Sequence, residues 1–227
     1  MTNQEDFIVQ EPYQPTAEEK KAITELEGKG LVACNWGSRK KYIKSFKDHL
    51  KQDMYYKQNK RCAFCRMQAS IASGAMHCEH IVYKNKHPQW IFHPENLCLA
   101  CLTCNSCKGT TEVLADPKTS TYPTASEGFK IIHPLYDKYS EHIELLGGVL
   151  YKGKTAKGIF TINTCHLYRV ELAEERVDQK WCAENKGSII AELVHLTIQP
   201  NQYVNDVNRF TKHVKSIVKE YKKGRCL

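Results

Sequence analysis

The sequence predicts an α+β fold, with a small strand-bearing core embedded in a mainly helical domain. Three observations lead there. Ile43, Phe46, Leu50 and Met54 recur at helical spacing across residues 39–59, with lysines on the other face. Two C-x-x-C pairs, Cys62/Cys65 and Cys101/Cys104, bracket the strand-like run His77-Cys78-Glu79-His80-Ile81-Val82. Short apolar runs broken by Gly147, Gly148, Gly153 and Gly158 follow, and the run GIFTI at 158–162 suits a strand.

Residues 1–15, with Pro12 and Pro15, read as an extended, loosely ordered arm. Residues 16–28 suit a short acidic helix, with Thr16 as its cap and Glu19 completing a capping box. The helix across 39–59 delivers the chain to Cys62. Residues 116–128, rich in Pro, Ser, Thr and Gly, read as a loop. Residues 165–186 read as helical. Val207, Phe210, Val214, Ile217 and Tyr221 make an amphipathic helix near the C-terminus, which covers the core or docks a partner. The expected division is an acidic arm and short helix (1–28), a basic helix (29–60), the cysteine- and histidine-rich core (61–112), and an α+β extension ending in the amphipathic helix (113–227).

Charge narrows the partners. The 227 residues carry 33 Lys and Arg against 25 Asp and Glu, a net charge of +8. The excess is concentrated in residues 39–66 and in the last twenty, which favours a phosphate backbone as partner. No apolar run reaches the ~18–20 residues of a membrane helix, so no membrane association is expected. The N-terminus has no basic stretch followed by an apolar one, so the expected location is cytoplasmic. Eleven cysteines in a reducing compartment argue for metal rather than disulfides.

The chemistry concentrates in 61–112. A C-x-x-C turn lets two thiolates reach one ion, and two such turns complete the closed tetrahedral shell of structural zinc. Glu79 offers a hard oxygen ligand for a cation. His80 offers a base that takes a proton from water near neutral pH. Asn96 offers an amide that can tie a loop. Asn105, placed where a helix would begin, offers a second oxygen ligand, and Lys108 could face phosphate.

These residues resemble the HNH endonuclease family. The resemblance rests on the Cys62/Cys65 knuckle, Glu79-His80-Ile81, Asn96-Leu97, and the Cys101/Cys104 knuckle with Asn105, Lys108 and Gly109. It implies a ββα-metal core, a β-hairpin and helix around one divalent ion. It also implies His80 as general base, Glu79 and Asn105 as ligands of Mg2+ or Mn2+, and Asn96 as the residue fixing the loop that orients the histidine. Cys62, Cys65, Cys101 and Cys104 would bind structural zinc, and Lys108 and Arg66 would contact phosphate. The substrate expected is nucleic acid, DNA above all. A looser similarity, from Ile131-Ile132-His133-Pro134 through Arg176, is to bacterial anti-phage HNH proteins of the Septu (PtuB-like) and retron-associated type. It implies an ATPase or other defence-system partner.

Other readings compete. The zinc knot could be a binding module for nucleic acid or protein, without catalysis. His77-x-Glu79 with Cys101-x-x-Cys104 resembles a zinc deaminase signature, without the expected proline. Cys98, Cys101, Cys104 and Cys107 echo an iron–sulfur run, and Cys98 or Cys107 could replace a neighbour in the zinc shell. Cys34, Cys78, Cys165, Cys182 and Cys226 read as small packed hydrophobes. His87, His93, His133 and His142 have no partner that the sequence names.

Overall fold

A computed structural model describes residues 5–180 of the chain. Residues Met1–Arg176 form one unit and Val177–Leu227 a second, which lies almost wholly outside the described residues. The amphipathic helix expected near the C-terminus, with Cys182 and Cys226, also lies outside them.

Helix α1 spans Ala17–Glu27. The Thr16 side chain accepts from the Glu19 N–H and the Glu19 carboxylate accepts from the Thr16 N–H, the reciprocal capping box. Glu19 is fully buried and ties α1 to the second helix, accepting from Tyr13, Ser45 and His49 at 2.6–2.8 Å. Burial raises its pKa, but those hydrogen bonds outweigh burial and hold the carboxyl below its ordinary value.

Helix α2 spans Lys41–Lys57. Ile43, Phe46, Leu50 and Met54 all have zero exposure, so the stripe at intervals of three and four faces the core. Burying each is worth about 1.5–3 kcal/mol, and this stripe holds the helix more firmly than its propensity does. The helix ends where Asn59 and Lys60 take left-handed backbone (φ 50° and 61°), turning the chain into Cys62.

The next elements form a hairpin and a helix. Strand β1 (Met76–His80) pairs antiparallel with β2 (Leu97–Cys101), with Met76 opposite Cys101 and His80 opposite Leu97. Helix α3 (Leu102–Lys108) follows β2 without a break. Cys101 is its N-cap and accepts from the Cys104 N–H at 3.5 Å. The helix therefore begins inside the second knuckle, three residues before the expected start at Asn105. Gln58, also fully buried, extends the pairing: its amide donates to Leu99 O at 2.8 Å and accepts from Leu99 N at 2.7 Å.

After residue 113 come α4 (Tyr139–His142), the hairpin of β3 (Ile143–Leu146) and β4 (Leu150–Gly153), and α5 (Ala156–Thr164). Four expectations change here and elsewhere in the chain. Residues 158–162 are helical, not a strand: Thr155 caps the helix by accepting from Gly158 N at 3.1 Å, and the short apolar run carried no period to arbitrate. Gly158 lies against His142 O, where a Cβ would come within 1.9 Å. The arm is not loose: Phe7, Val9 and Tyr13 are buried, and Val9 N donates to Pro134 O at 2.8 Å. Cys34 is exposed rather than packed, whereas Cys165 is buried. Residues 165–168 form a turn, and helix resumes over 170–180.

Candidate metal centre and histidine site

The two knuckles meet. The Sγ atoms of Cys62, Cys65, Cys101 and Cys104 all lie within 4.8 Å of one another, with Cys65 and Cys101 at 3.9 Å. A tetrahedron with Zn–S near 2.3 Å has sulfurs about 3.8 Å apart, so the set fits a zinc ion. Backbone N–H groups already point at the sulfurs: Cys101 N donates to Cys62 Sγ at 3.3 Å and Phe64 N at 3.5 Å. Burial raises the Cys62 thiol, but hydrogen bonds from the neighbouring cysteines carry it well below its usual value. Cys65 and Cys104 are pushed well above theirs, first by their hydrogen bonds with Cys101. Four thiols this close, three of them buried and Cys101 partly so, cannot all ionise without a cation among them. Cys98 is buried outside the cluster, and Cys107 is not part of it. This closed four-sulfur set leaves out His77, which is exposed, so it matches neither the deaminase nor the iron–sulfur spacing.

The extension clamps the first knuckle. Tyr139 Oη donates to Phe64 O at 2.6 Å, and Tyr151 Oη donates to Cys65 O. Arg176 donates to the same Cys65 carbonyl at 2.9 Å and to Glu5 at 3.0 Å. Arg66 is wholly buried, its guanidinium stacked 3.6 Å from the Phe7 ring and 4.4 Å from that of Tyr139. Burial lowers its pKa to about 10.

The other end of the hairpin holds Glu79 and His80, both buried although adjacent, because β1 ends there and turns. His80 Nε2 lies 3.0 Å from Ile91 O. A carbonyl only accepts, so Nε2 carries the proton and the neutral ring presents Nδ1 as its lone pair. Burial lowers the His80 pKa to about 3, keeping the ring neutral. Trp36, in a 3-10 turn over Ala33–Gly37, packs edge-on to the imidazole with centroids 4.5 Å apart. Lys47 of α2 donates to Trp36 O at 3.0 Å.

Asn96 has zero exposure and holds the 81–96 loop. Its Oδ1 accepts from Val82 N at 2.7 Å, and its Nδ2 donates to Trp90 O at 3.1 Å and Val82 O at 3.3 Å. Glu79 pairs with Lys108 of α3 at 2.6 Å. Burial raises the Glu79 pKa, with Lys108 pulling against it. Asn105 lies on α3 one turn before Lys108 and is half-buried. The structure thus gathers Glu79, His80, Asn96 and Lys108 at one end of the hairpin and the four cysteines at the other. Arg66 belongs with the cysteines, inside the protein.

Several participants were not singled out in the sequence. Trp36 sits alone in a Gly- and Ser-containing turn with no period to flag it, and Gln58 and the Ile91 carbonyl act through contacts distant in sequence. The histidines also gain partners. His133 pairs with Tyr122 at 3.0 Å, His142 with Asp137 at 3.3 Å, and His93 with Glu95 at 3.2 Å, while His87 stacks on Trp90.

No described helix is long and apolar enough to cross a membrane. No protein-family model matches the chain. The chain is 29% identical over 125 residues to Septu protein PtuB of Bacillus thuringiensis, an alignment covering 55% of this chain and 43% of that protein. The chain thus spans under half the length of that relative, and the likeness supports a Septu-type relation for a protein that carries a four-cysteine centre fit for zinc.

Proposed function

We propose that this chain is an HNH endonuclease with a ββα-metal core, hydrolysing phosphodiester bonds of nucleic acid, DNA above all. We place it as the nuclease component of a bacterial anti-phage system, acting with an ATPase or other partner, on the strength of its likeness to a Septu protein. The observation that carries the catalytic reading is the fixed tautomer of His80. Its Nε2–H is held by Ile91 O, so Nδ1 is the nitrogen that takes a proton from attacking water. Asn96 secures the loop that supplies that carbonyl. A Mg2+ or Mn2+ ion held by Glu79 and Asn105 would supply the positive charge that a cleaving phosphodiester needs. The Lys108 ammonium 2.6 Å from Glu79 supports reading this carboxylate as a group that pairs with a cation. Zinc on the four cysteines would take no part in the chemistry and would fix hairpin to helix. Lys108 and Arg66 are both buried, so either one contacts phosphate only after leaving the partners described above.

The test is cleavage of plasmid and single-stranded DNA in Mg2+, Mn2+ and EDTA, beside His80→Ala, with zinc measured on the same sample. Metal-dependent cleavage that falls by about 10²-fold or more in His80→Ala supports the reading. Cleavage that survives the substitution refutes His80 as the base. A second reading, a zinc-bearing interaction module without catalysis, draws on the enclosure of the site, where Trp36 packs on His80 and Lys108 occupies Glu79. It predicts about one zinc per chain and no cleavage, with or without a partner.

A further inference from the structure

Lys108 is the last residue of α3 and is 1% exposed. Its ammonium makes two contacts within the Glu79-His80 pair: Glu79 Oε1 at 2.6 Å and His80 O at 2.9 Å. A buried ammonium and a buried carboxylate are each costly alone, and removing either leaves the other uncompensated. The pair therefore neutralises this end of the hairpin without any bound ion. Asn105, the second oxygen ligand proposed above, stands three residues earlier on the same helix and so on the same face. Helix α3 thus carries on one face a cation that reaches the site and the amide proposed as its second ligand.

We infer that Lys108 is the resident cation of the site, and that a divalent ion must displace it from Glu79 to bind. The inference rests on the reading of Glu79 as a metal ligand. Lys108 holds Oε1, and a divalent ion on either oxygen of this buried carboxylate would lie within a few ångströms of the ammonium, where the two positive charges repel strongly. Binding of the ion and retention of the Lys108–Glu79 pair are therefore alternatives. The displaced ammonium needs a new anionic partner, and a phosphodiester oxygen is the group a nucleic-acid substrate brings. Metal loading and substrate arrival are then favourable to one another through a single side chain.

The experiment is a Mn2+ titration of the zinc-loaded protein followed by electron paramagnetic resonance, on wild type, Lys108→Met and Glu79→Gln. Removing the competing ammonium tightens Mn2+ binding by about tenfold or more in Lys108→Met, the equivalent of about 1.4 kcal/mol. Equal or weaker binding in a Lys108→Met protein that keeps its zinc and helicity overturns the inference. Glu79→Gln distinguishes the two layers: if it binds Mn2+ as wild type does, Glu79 is not a ligand and the underlying reading fails. If Lys108→Met does not fold, the wild-type protein decides. Amine acylation mapped by mass spectrometry should label Lys108 slowly without Mn2+ and faster with it. Labelling unchanged by Mn2+ overturns the inference.

Discussion

The two ends of the β1–β2 hairpin handle buried charge in opposite ways. At the Met76–Cys101 end, four thiols crowd within 4.8 Å, and the ligand set is complete only with an ion. At the His80–Leu97 end, Glu79 has an ammonium at 2.6 Å and His80 is held neutral by burial. The first end gathers ligands that call for a cation. The second is electrically complete without metal and is therefore free to exchange its cation. The two ends thus differ in whether the protein supplies the counter-charge itself.

The sharpest way to break this comparison is to strip the first end. If zinc sits there, a strong chelator, or Cys104→Ser, should abolish cooperative thermal unfolding, with a loss of several kcal/mol or more, as structural zinc centres do. Stripping Mg2+ or Mn2+ alone should leave the melting curve almost unchanged. Equal sensitivity at both ends would erase the distinction. Circular dichroism during the melt reads both.

Asn96→Ala tests how rigidly the second end is held. It removes three hydrogen bonds and leaves the Val82 N–H unpaired, for a cost of roughly 2–4 kcal/mol. Denaturant unfolding should show that loss, and cleavage should fall with it because the Ile91 carbonyl moves. Full activity at reduced stability would mean that the loop does not orient His80.

A smaller effect should appear with pH. His80 and His133 are both buried, with pKa values lowered to about 3 from 6.5, in each case chiefly by burial. Between those values the unfolded chain binds a proton that the folded chain refuses. The stability is therefore fully present above about pH 6.5 and is lost as pH falls towards 3. His133 Nδ1 accepts from Leu135 N and its Nε2 faces the Tyr122 hydroxyl, so the folded state has no place for a second proton on this ring. His133→Gln should lower stability at pH 7 and flatten its decline between pH 6.5 and 4. A wild-type stability independent of pH over that range would contradict both assignments.

Local signals carried much of this fold. The Thr16–Glu19 box, the α2 stripe and each C-x-x-C turn rest on repeated spacings of three or four residues, where spacing alone dictates which groups share a face or a turn. They were legible for that reason. The run 158–162 was not, because five apolar residues suit either a strand or a helix, and the decision came from the Thr155 cap and the close approach of Gly158 to His142. Nor was the packing of the arm, since Phe7 and Val9 meet Arg66 and Pro134 across long stretches of chain.

The sequence by itself determined the residue types at the centre of the molecule: four sulfurs at knuckle spacing, a carboxylate beside a histidine, two asparagines and a lysine. Chemistry restricts what such groups can bind, and that restriction travels with the residues. Only the tertiary structure decided which of them face each other. It set Cys98 and Cys107 outside the sulfur cluster, stacked Arg66 between two rings, and brought Lys108 onto Glu79. Those outcomes depend on the register of a hairpin and the direction of a seven-residue helix. Register and direction come from the packing of the whole core, which no local spacing encodes.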